Sequence, residues 1–279
     1  MKENKLIFDN FSLSELIEEE SDFFPLLSQE DEEKINKEET PKTLPILPLR
    51  NTVLFPGVII PITIGRDRSI QLIKETYKGN RTIGVLAQKD PNIEIPAETD
   101  LNIIGTVAHI LKMLRLPDGN ITAIIQGRKR FKLQEFIQSE PYFKARVNEL
   151  TESKQIPNDK EFGALVDSVK DLALKIIEES PNIPSEATLA IKNIESPSFV
   201  INFVASNMNI SLIEKQRLLE EMDLKIRANN ALGFLTKELQ MLEMKNEIQS
   251  KVRTDLDKQQ REYFLHQQMK AIQEELGGV

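Results

Sequence analysis

The chain has 279 residues, 40% of them hydrophobic and 29% charged, with a formal net charge of -8, which fits a globular protein of about two domains. It has no cysteine, and its two histidines, His109 and His266, lie far apart in sequence, which argues against a disulfide framework, a zinc or other metal site, a thiol nucleophile and a histidine-based triad. No apolar run reaches the ~20 residues that span a bilayer and the N-terminus lacks a signal-peptide core, so we expect a cytoplasmic protein without membrane partners.

The acidity is concentrated at the N-terminus. Residues 1–40 hold 13 acidic side chains against 4 lysines, whereas the remainder has a net charge of +1. Runs such as DEEKINKEET are typical of a solvated, flexible leader. The apolar residues in FSLSELIEEESDFFPLL leave a short docking helix open as an alternative. We expect residues 1–43 to be a disordered acidic leader with transient helix.

Residues 44–152 are predicted to form a β domain, because short apolar runs recur between turn signals. One helix, from about Asp67 to Lys78 with Gly79 as its stop, interrupts the strands, and the PDGN segment at 117–120 is a good hairpin turn. Mostly antiparallel strands with one inserted helix predict a small barrel or sandwich. The predicted strands are LPILPL, GVIIPITIG, TIGVLAQ, IIGTVAHILKMLRL, NITAIIQG, RFKLQEF and YFKARVNEL.

The loop that follows the first strand is rich in proline and apolar residues. In LPLRNTVLFPG, Leu49, Phe55 and Pro56 are candidates for an exposed apolar patch that contacts a substrate or partner, such as an extended peptide. The alternative is that this loop folds over the barrel core. The sequence leaves both interpretations open.

A basic run lies on one of the later strands. QGRKRFKLQEF places Arg128, Lys129, Arg130 and Lys132 around Phe131, and such an arrangement can bind nucleic acid. The alternative is a solvated strand face with Phe131 in the core. The second interpretation is favoured, because outside the leader the net charge is close to zero and lacks a basic footprint.

Residues 153–223 are predicted to form a helical bundle. Apolar residues between Phe162 and Ile177 follow the spacing of one helical face, and Pro181 ends that helix. Ser185 and Ser196 are candidate N-caps, the second with proline at the first helical position, and Ser211 with a glutamate three residues later forms a capping box.

Residues 224–279 are predicted to form a long helix. The stretch 224–276 has no proline and one glycine, and 53 helical residues would extend about 80 Å, so the helix must either leave the globular body or break. The segment RTDLDKQQRE is polar nearly all round, as in a solvated connector or a hinge. An apolar seam for packing lies in its first part, at Ala228, Leu232, Leu235, Leu239 and Leu242.

Two groups of side chains on this helix are candidates for contact with a substrate or partner. Met241 and Met244 carry flexible thioethers suited to hydrophobic binding, although packing between helices is the alternative. Tyr263, Phe264 and Leu265 are consecutive, so they cannot all face one seam, which favours contact with something beyond the chain.

The sequence contains no G-x-x-x-x-G-K-[ST] loop and no G-x-S-x-G elbow. We therefore predict no catalytic, cofactor-binding or metal-binding residues in this chain, and a role in binding and assembly.

The ordered set LPILPLRNTVLFPGVIIPITIGRDRSI, GVLAQKD, IIGTVAHILKMLRLPDGN, SLIEKQRLLEEMD and REYFLHQQMKAIQEELGG resembles the N-terminal region of the ATP-dependent Lon protease family (LonA type, endopeptidase La). The first motif alone is moderate evidence, because stand-alone proteins share that β domain. REYFLHQQMKAIQEELG is more specific, since it resembles the helix that leads into the AAA+ ATPase. The resemblance covers roughly residues 44–279.

The resemblance implies an α+β fold, with a PUA-like β pseudobarrel, a helical bundle and a long C-terminal helix. It implies a non-catalytic segment that recognises unfolded or damaged protein substrates and supports assembly with other protomers into a homohexamer. ATP, magnesium and a Ser-Lys dyad would belong to domains that follow Val279. A stand-alone adaptor or RNA-binding module is the alternative, although nucleic acid is not an expected partner of this segment.

Overall fold

The computed structural model describes residues 32, 34, 35, 37–115, 120–151, 159–180 and 186–277. Its first part is a six-stranded sheet in the order β2-β5-β4-β3-β1-β6, and β5 pairs with β6 as well. That extra pairing closes five of the strands into a barrel. The strands are β1 (Thr43–Leu49), β2 (Ile59–Ile64), β3 (Thr82–Ala87), β4 (Ile104–Arg115), β5 (Ile121–Gln138) and β6 (Lys144–Leu150).

Strand β5 closes the barrel by changing partners along its length. Its first residues pair antiparallel with β2, from Ile59 opposite Gln126 to Ile64 opposite Ile121. Its last residues pair antiparallel with β6, from Arg130 opposite Leu150 to Gln138 opposite Lys144. The sequence predicted two strands here, NITAIIQG and RFKLQEF, and the structure instead has one continuous strand of 18 residues.

Helix α1 (Asp67–Lys78) lies in the crossover between β2 and β3, and Gly79 follows it, as the sequence predicted. A crossover is needed because β1 pairs with β3 in parallel, from Ile46 opposite Gly84 to Leu49 opposite Ala87. Leu72 and Ile73 on α1 are buried in the barrel core with apolar residues of the strands.

The helical part begins with α2 (Lys160–Glu179), α3 (Glu186–Asn193), α4 (Pro197–Asn207) and α5 (Leu212–Glu220). The predicted caps at Ser196 and Ser211 are both present: each side-chain oxygen accepts a backbone N–H, and Ser211 and Glu214 form the capping box. Ser185, the third predicted cap, lies outside the described residues. Helix α2 has a further N-cap that was not predicted from the sequence, Asp159, whose side chain accepts from two backbone N–H groups.

Helix α6 (Leu224–Glu275) is continuous over 52 residues, about 80 Å, so the predicted alternative of a break is not observed. Its first part packs mainly against α2, and the predicted seam is buried at Ala228, Leu235 and Leu239. Farther along α6, two hydrogen bonds still join it to α2: Lys175 Nζ donates to Glu243 at 3.0 Å, and Asn246 Nδ2 donates to the carbonyl of Glu179 at 3.1 Å. Residues 247–277 are exposed.

The end of the acidic leader departs from the expected disorder. Residues 32, 34, 35 and 37 are helical, and Ile35 is only 4% exposed. This part is ordered because an apolar side chain and several polar contacts bind it to the body. The expectation for residues 1–31 lies outside the described residues. Within the described part of the chain, no helix is long and apolar enough to cross a membrane.

Candidate functional site

The sequence predicted an exposed apolar patch at Leu49, Phe55 and Pro56 on the loop after β1. The predicted exposure is wrong for Leu49 and Phe55. Phe55 is fully buried and Leu49 is 5% exposed, so neither side chain is available to a partner. Phe55 packs in the core cluster formed by the helical bundle. Pro56 is half-buried, and its carbonyl accepts from Asn202 Nδ2 on α4 at 3.3 Å. The loop therefore connects the barrel to the bundle.

A close backbone approach fixes this loop against β5. The N–H of Gly57 donates to the carbonyl of Gly127 at 3.0 Å, and the N–H of Gly127 donates to the carbonyl of Val58 at 2.9 Å. A Cβ on Gly127 would lie 2.2 Å from the carbonyl oxygen of Phe55. Only glycine fits at that position, which explains the interruption of the apolar pattern in β5.

Two buried arginines hold the barrel, α5 and α6 together. Arg130 on β5 donates from Nη1 to the carbonyls of Leu219 and Glu221 at 2.9 and 2.7 Å. Arg227 on α6 donates to the same Glu221 carbonyl through Nε and Nη2, and to Asn202 Oδ1 at 3.0 Å. Both guanidinium groups lie at the C-terminal end of α5, where the helix dipole favours a positive charge.

The structural role of Arg130 and Arg227 was not predicted from the sequence. Arginine in a strand or at the start of a helix is most often solvent-facing, so residue type alone gives no signal of burial. Strand alternation gives no signal either, because the neighbour of the core residue Phe131 is expected on the opposite, solvent-facing side of the strand.

The neighbouring basic side chains of β5 also have partners within the chain. Arg128 Nη1 lies 3.3 Å from Glu38 Oε1, and Lys129 Nζ lies 3.0 Å from Glu149 Oε1. Phe131 is fully buried, as the favoured interpretation of this strand required. Arg128, Lys129 and Arg130 therefore stabilise the fold, and this arrangement does not favour the stand-alone RNA-binding alternative.

The predicted contact residues on α6 are all exposed. Met241 and Met244 are 66% and 56% exposed, and Tyr263, Phe264 and Leu265 are 68%, 62% and 55% exposed. Packing of the two methionines against other helices is thus not observed. Their role in contact with a partner stays a prediction. Further exposed apolar side chains on this part of the helix are Ile248, Val252, Leu256, Met269, Ile272 and Leu276.

A cleft of about 470 Å³ opens beside the N-terminus of α1. Its lining includes the buried side chains of Ile46, Leu72 and Phe143, and Ile95, which is 76% exposed, stands at its edge. This cleft was not predicted from the sequence, because its walls come from β1, α1, the loop before β4 and the segment before β6.

The lining of this cleft carries charges of both signs, with three arginines beside Asp67 and Glu94. Arg50 Nε donates to the carbonyl of Pro91, Arg66 Nη2 donates to Gln88 Oε1 at 2.8 Å, and Arg68 pairs with Glu140. Burial, followed by the nearby charge of Arg50, lowers the pKa of Arg66. A cleft of this kind suits an apolar side chain of a polypeptide whose carbonyls or carboxylates meet the guanidinium groups.

A tyrosine on the same cleft is held by a carboxylate. The hydroxyl of Tyr142 donates to Glu75 Oε2 at 2.7 Å, and burial together with this carboxylate raises the pKa of Tyr142 to about 12. Hydrogen bonds from Gln71 and Tyr142 lower the pKa of Glu75. Among the described residues no group of three or more His, Asp or Glu side chains is placed to hold a metal ion.

Comparison with known proteins shows which family the chain resembles. A family model described as "ATP-dependent protease La (LON) substrate-binding domain" matches residues 43–237, from β1 into α6. The chain is 60% identical over 274 residues to the Lon protease of Flavobacterium johnsoniae, covering 98% of this chain and 33% of that protein. It is 52% identical over 256 residues to the Lon protease of Cytophaga hutchinsonii, covering 92% of this chain and 32% of that protein.

Solved structures give the same fold at low sequence identity. The N-terminal domain of Mycobacterium avium complex Lon protease aligns with a TM-score of 0.58 at 20% identity, over 70% of this chain and 98% of that one. The Lon N-terminal domain protein from Xanthomonas campestris aligns with a TM-score of 0.51 at 19% identity, over 69% of this chain and 98% of that one.

The predicted α+β fold, with a β domain, a bundle and a long helix, is confirmed. The chain spans about a third of the length of the curated relatives it matches. The predicted role as a Lon substrate-recognition segment agrees with the family match, and the stand-alone alternative does not. The chain belongs to the Lon family, as its N-terminal substrate-binding region.

Proposed function

We propose that this chain recruits substrates and supports assembly for an ATP-dependent serine protease that unfolds and degrades misfolded or regulatory proteins in the cytoplasm. In this proposal ATP, magnesium and the Ser-Lys dyad belong to the AAA+ and protease domains of the whole protease, outside this chain. The protomers form a homohexamer. The chain itself contributes binding and no catalytic residue.

The observation that carries the proposal is the division of the chain into a packed body and an exposed helix. The body contains the region that matches the substrate-binding family, residues 43–237. Residues 247–275 extend from it as helix without burying their apolar side chains. Most of the stability of a helix in a protein comes from tertiary packing of its apolar face, so an exposed helical stretch that carries several apolar side chains favours a partner.

We assign substrate capture to the cleft beside α1 and assembly to the exposed part of α6. The cleft provides buried apolar walls together with Arg50, Arg66 and Arg68, a combination that fits an extended, unfolded polypeptide. Leu265, Met269 and Ile272 on α6 and Leu276 at its C-cap step by 4, 3 and 4 residues, which is the spacing of a seam between helices.

Substrate capture is tested with one globular protein in two states. The intact chain should bind the reduced, unfolded form more tightly than the native form, and Ile95→Asp should weaken that binding. Ile137→Asp is the matched control, since Ile137 is also an exposed isoleucine, 49% exposed, and does not line the cleft. Equal affinity for the folded and unfolded forms would remove the substrate role.

Assembly is tested separately by light scattering at rising protein concentration. Replacing Leu265 and Ile272 by serine should shift any self-association of the chain to a higher concentration, with the body unchanged in circular dichroism. The control replaces Ile103 and Ile137, which are exposed on the body. Identical self-association of both variants and the wild type would exclude α6 as the assembly surface.

A further inference from the structure

The end of the acidic leader crosses the junction between the barrel and the bundle. Ile35 is 4% exposed, and Glu32 Oε1 accepts from Ser196 Oγ, the N-cap of α4, at 2.9 Å. A few residues later Glu38 contacts β5. Its side chain pairs with Arg128 at 3.3 Å and its carbonyl accepts from Lys129 Nζ at 2.6 Å. The leader thus contacts both halves of the body within a short stretch.

A groove runs along this contact. It has a volume of about 360 Å³, and Glu32 and Ile35 of the leader fill one side of it. On the body side it is bounded by the loop after β1, the basic part of β5, the end of β6 and the first turns of α4. Its lining on that side comprises Pro56, Gly57, Arg128, Lys129, Arg130, Glu149, Leu150, Thr151, Ser198, Phe199 and Asn202.

The chemistry of the groove complements an acidic amphipathic segment. Phe199, 4% exposed, provides an apolar surface, and Arg128 of β5 provides a positive charge in the same lining, whereas Lys129 and Arg130 already bind acceptors of the body. Arg128 Nε is buried and has no hydrogen-bond partner among the described residues, so the guanidinium retains a donor for an additional acceptor. Glu149, the acidic residue of the body in this lining, already accepts from Lys129 and from Thr40.

We propose that this groove is a binding site for acidic amphipathic polypeptide segments, and that the end of the leader, through Glu32, Ile35 and Glu38, occupies it as an intramolecular ligand. The leader carries 13 acidic residues within its first 40 positions, and its contacts show the pattern that the site recognises. That pattern is one buried aliphatic side chain with a carboxylate on either side, here Glu32, Ile35 and Glu38. An incoming segment of the same pattern competes with the leader.

The contacts of the leader are suited to exchange. Glu38, its ion-paired carboxylate, is 57% exposed in the side chain, and Ile35 is the one fully buried apolar residue among the described positions of the leader. Exposed ion pairs contribute little to binding, so Ile35 is the main anchor. The covalent connection holds the leader at a high local concentration, which keeps the groove covered until a competitor is present. This proposal is independent of substrate capture at the cleft beside α1.

The first experiment measures binding of a fluorescent peptide with the sequence of residues 28–42 to the 279-residue chain. Ile35→Asp should release the leader, and the peptide should then bind about tenfold or more tightly than to the wild type. Ile137→Asp, a control with the same charge change on the body, should behave like the wild type. A peptide that itself carries Ile35→Asp should bind neither chain.

The groove side is tested in the released chain. Adding Arg128→Glu to Ile35→Asp should weaken peptide binding by about tenfold, because it replaces an attraction by a repulsion. Circular dichroism confirms that each variant keeps its fold. Equal peptide affinity for the wild type and Ile35→Asp chains, or no binding to the Ile35→Asp chain at about 1 mM peptide, would overturn the proposal.

A second measurement leaves the groove and the anchor intact. Because the chain has no cysteine, Glu39→Cys introduces a single site for a nitroxide label beside the groove. Unlabelled peptide in excess should increase the mobility of the label, and the Ile35→Asp peptide should not. An unchanged spectrum at saturating peptide would show that the leader is a fixed structural strap and would refute exchange.

Discussion

The buried guanidinium of Arg227 gives a sharp test of how the barrel and the bundle are held together. Arg227→Met keeps a long side chain but removes every donor. Asn202 Oδ1 then loses the hydrogen bond that it accepts from Arg227 at 3.0 Å. The carbonyl of Glu221 still accepts a hydrogen bond from Arg130 at 2.7 Å. A lost charged hydrogen bond contributes about 1.5–3 kcal/mol, and an orphaned buried acceptor costs about 1–3 kcal/mol. We expect the free energy of unfolding to fall by about 3–5 kcal/mol.

The assay is urea unfolding followed by circular dichroism and by tyrosine fluorescence, since the chain has 3 tyrosines and no tryptophan. Coincident transitions would establish that barrel and bundle unfold together. Arg253→Met is the matched control, because Arg253 is an exposed residue of the same helix, and its effect should stay within about 0.5 kcal/mol. A loss below about 1 kcal/mol for Arg227→Met would refute the assigned role.

Three further outcomes follow from the packing. Gly127→Ala should destabilise the chain by about 1–3 kcal/mol, because its Cβ meets a backbone carbonyl, whereas Gly233→Ala, with nothing within 4 Å, should stabilise α6 by up to about 1 kcal/mol in the same unfolding assay. Burial lowers the folded-state pKa of Lys215 to about 8 from 10.5. Between pH 8 and 10.5 the unfolded state therefore binds more protons at Lys215 than the folded state does. Over this range the free energy of unfolding of the wild type, relative to that of Lys215→Met, should rise by ~3 kcal/mol at most. A flat difference over that range would contradict the burial of a charged amine. Amide hydrogen exchange should be slow at 224–242 and fast at 248–275, since only the first part of α6 packs on the body, and uniform protection would show that the second part is covered in solution.

The elements that follow from local chemistry were predictable from the sequence. Helix α1 begins and ends at the predicted residues, because an acidic first turn and a terminal glycine are signals within the element itself. The caps at Ser196 and Ser211 were predictable for the same reason. The length of α6 followed from the absence of proline over more than 50 residues, although the choice between one helix and two did not.

The features that depend on distant partners were not predictable. β5 was divided in two because Gly127 and the basic run interrupt its pattern, and the pairing with β2 and then β6 that makes it one strand is a property of the whole sheet. Phe55 was a candidate for an exposed patch because an apolar side chain in a loop looks the same in sequence whether it packs on a partner or on the chain's own bundle. The cleft beside α1 was missed because four separate segments build it.

The attachment of α6 at one end has a mechanical consequence. Residues 224–246 are packed on the body, and residues 247–275 extend from it as helix over about 40 Å. The arrangement is a lever whose fulcrum lies where Asn246 meets α2. A tilt of about 10° at that point would displace the far end by about 7 Å, from the same helix length. Small repacking events in the bundle would therefore be converted into large displacements of whatever is bound at the tip.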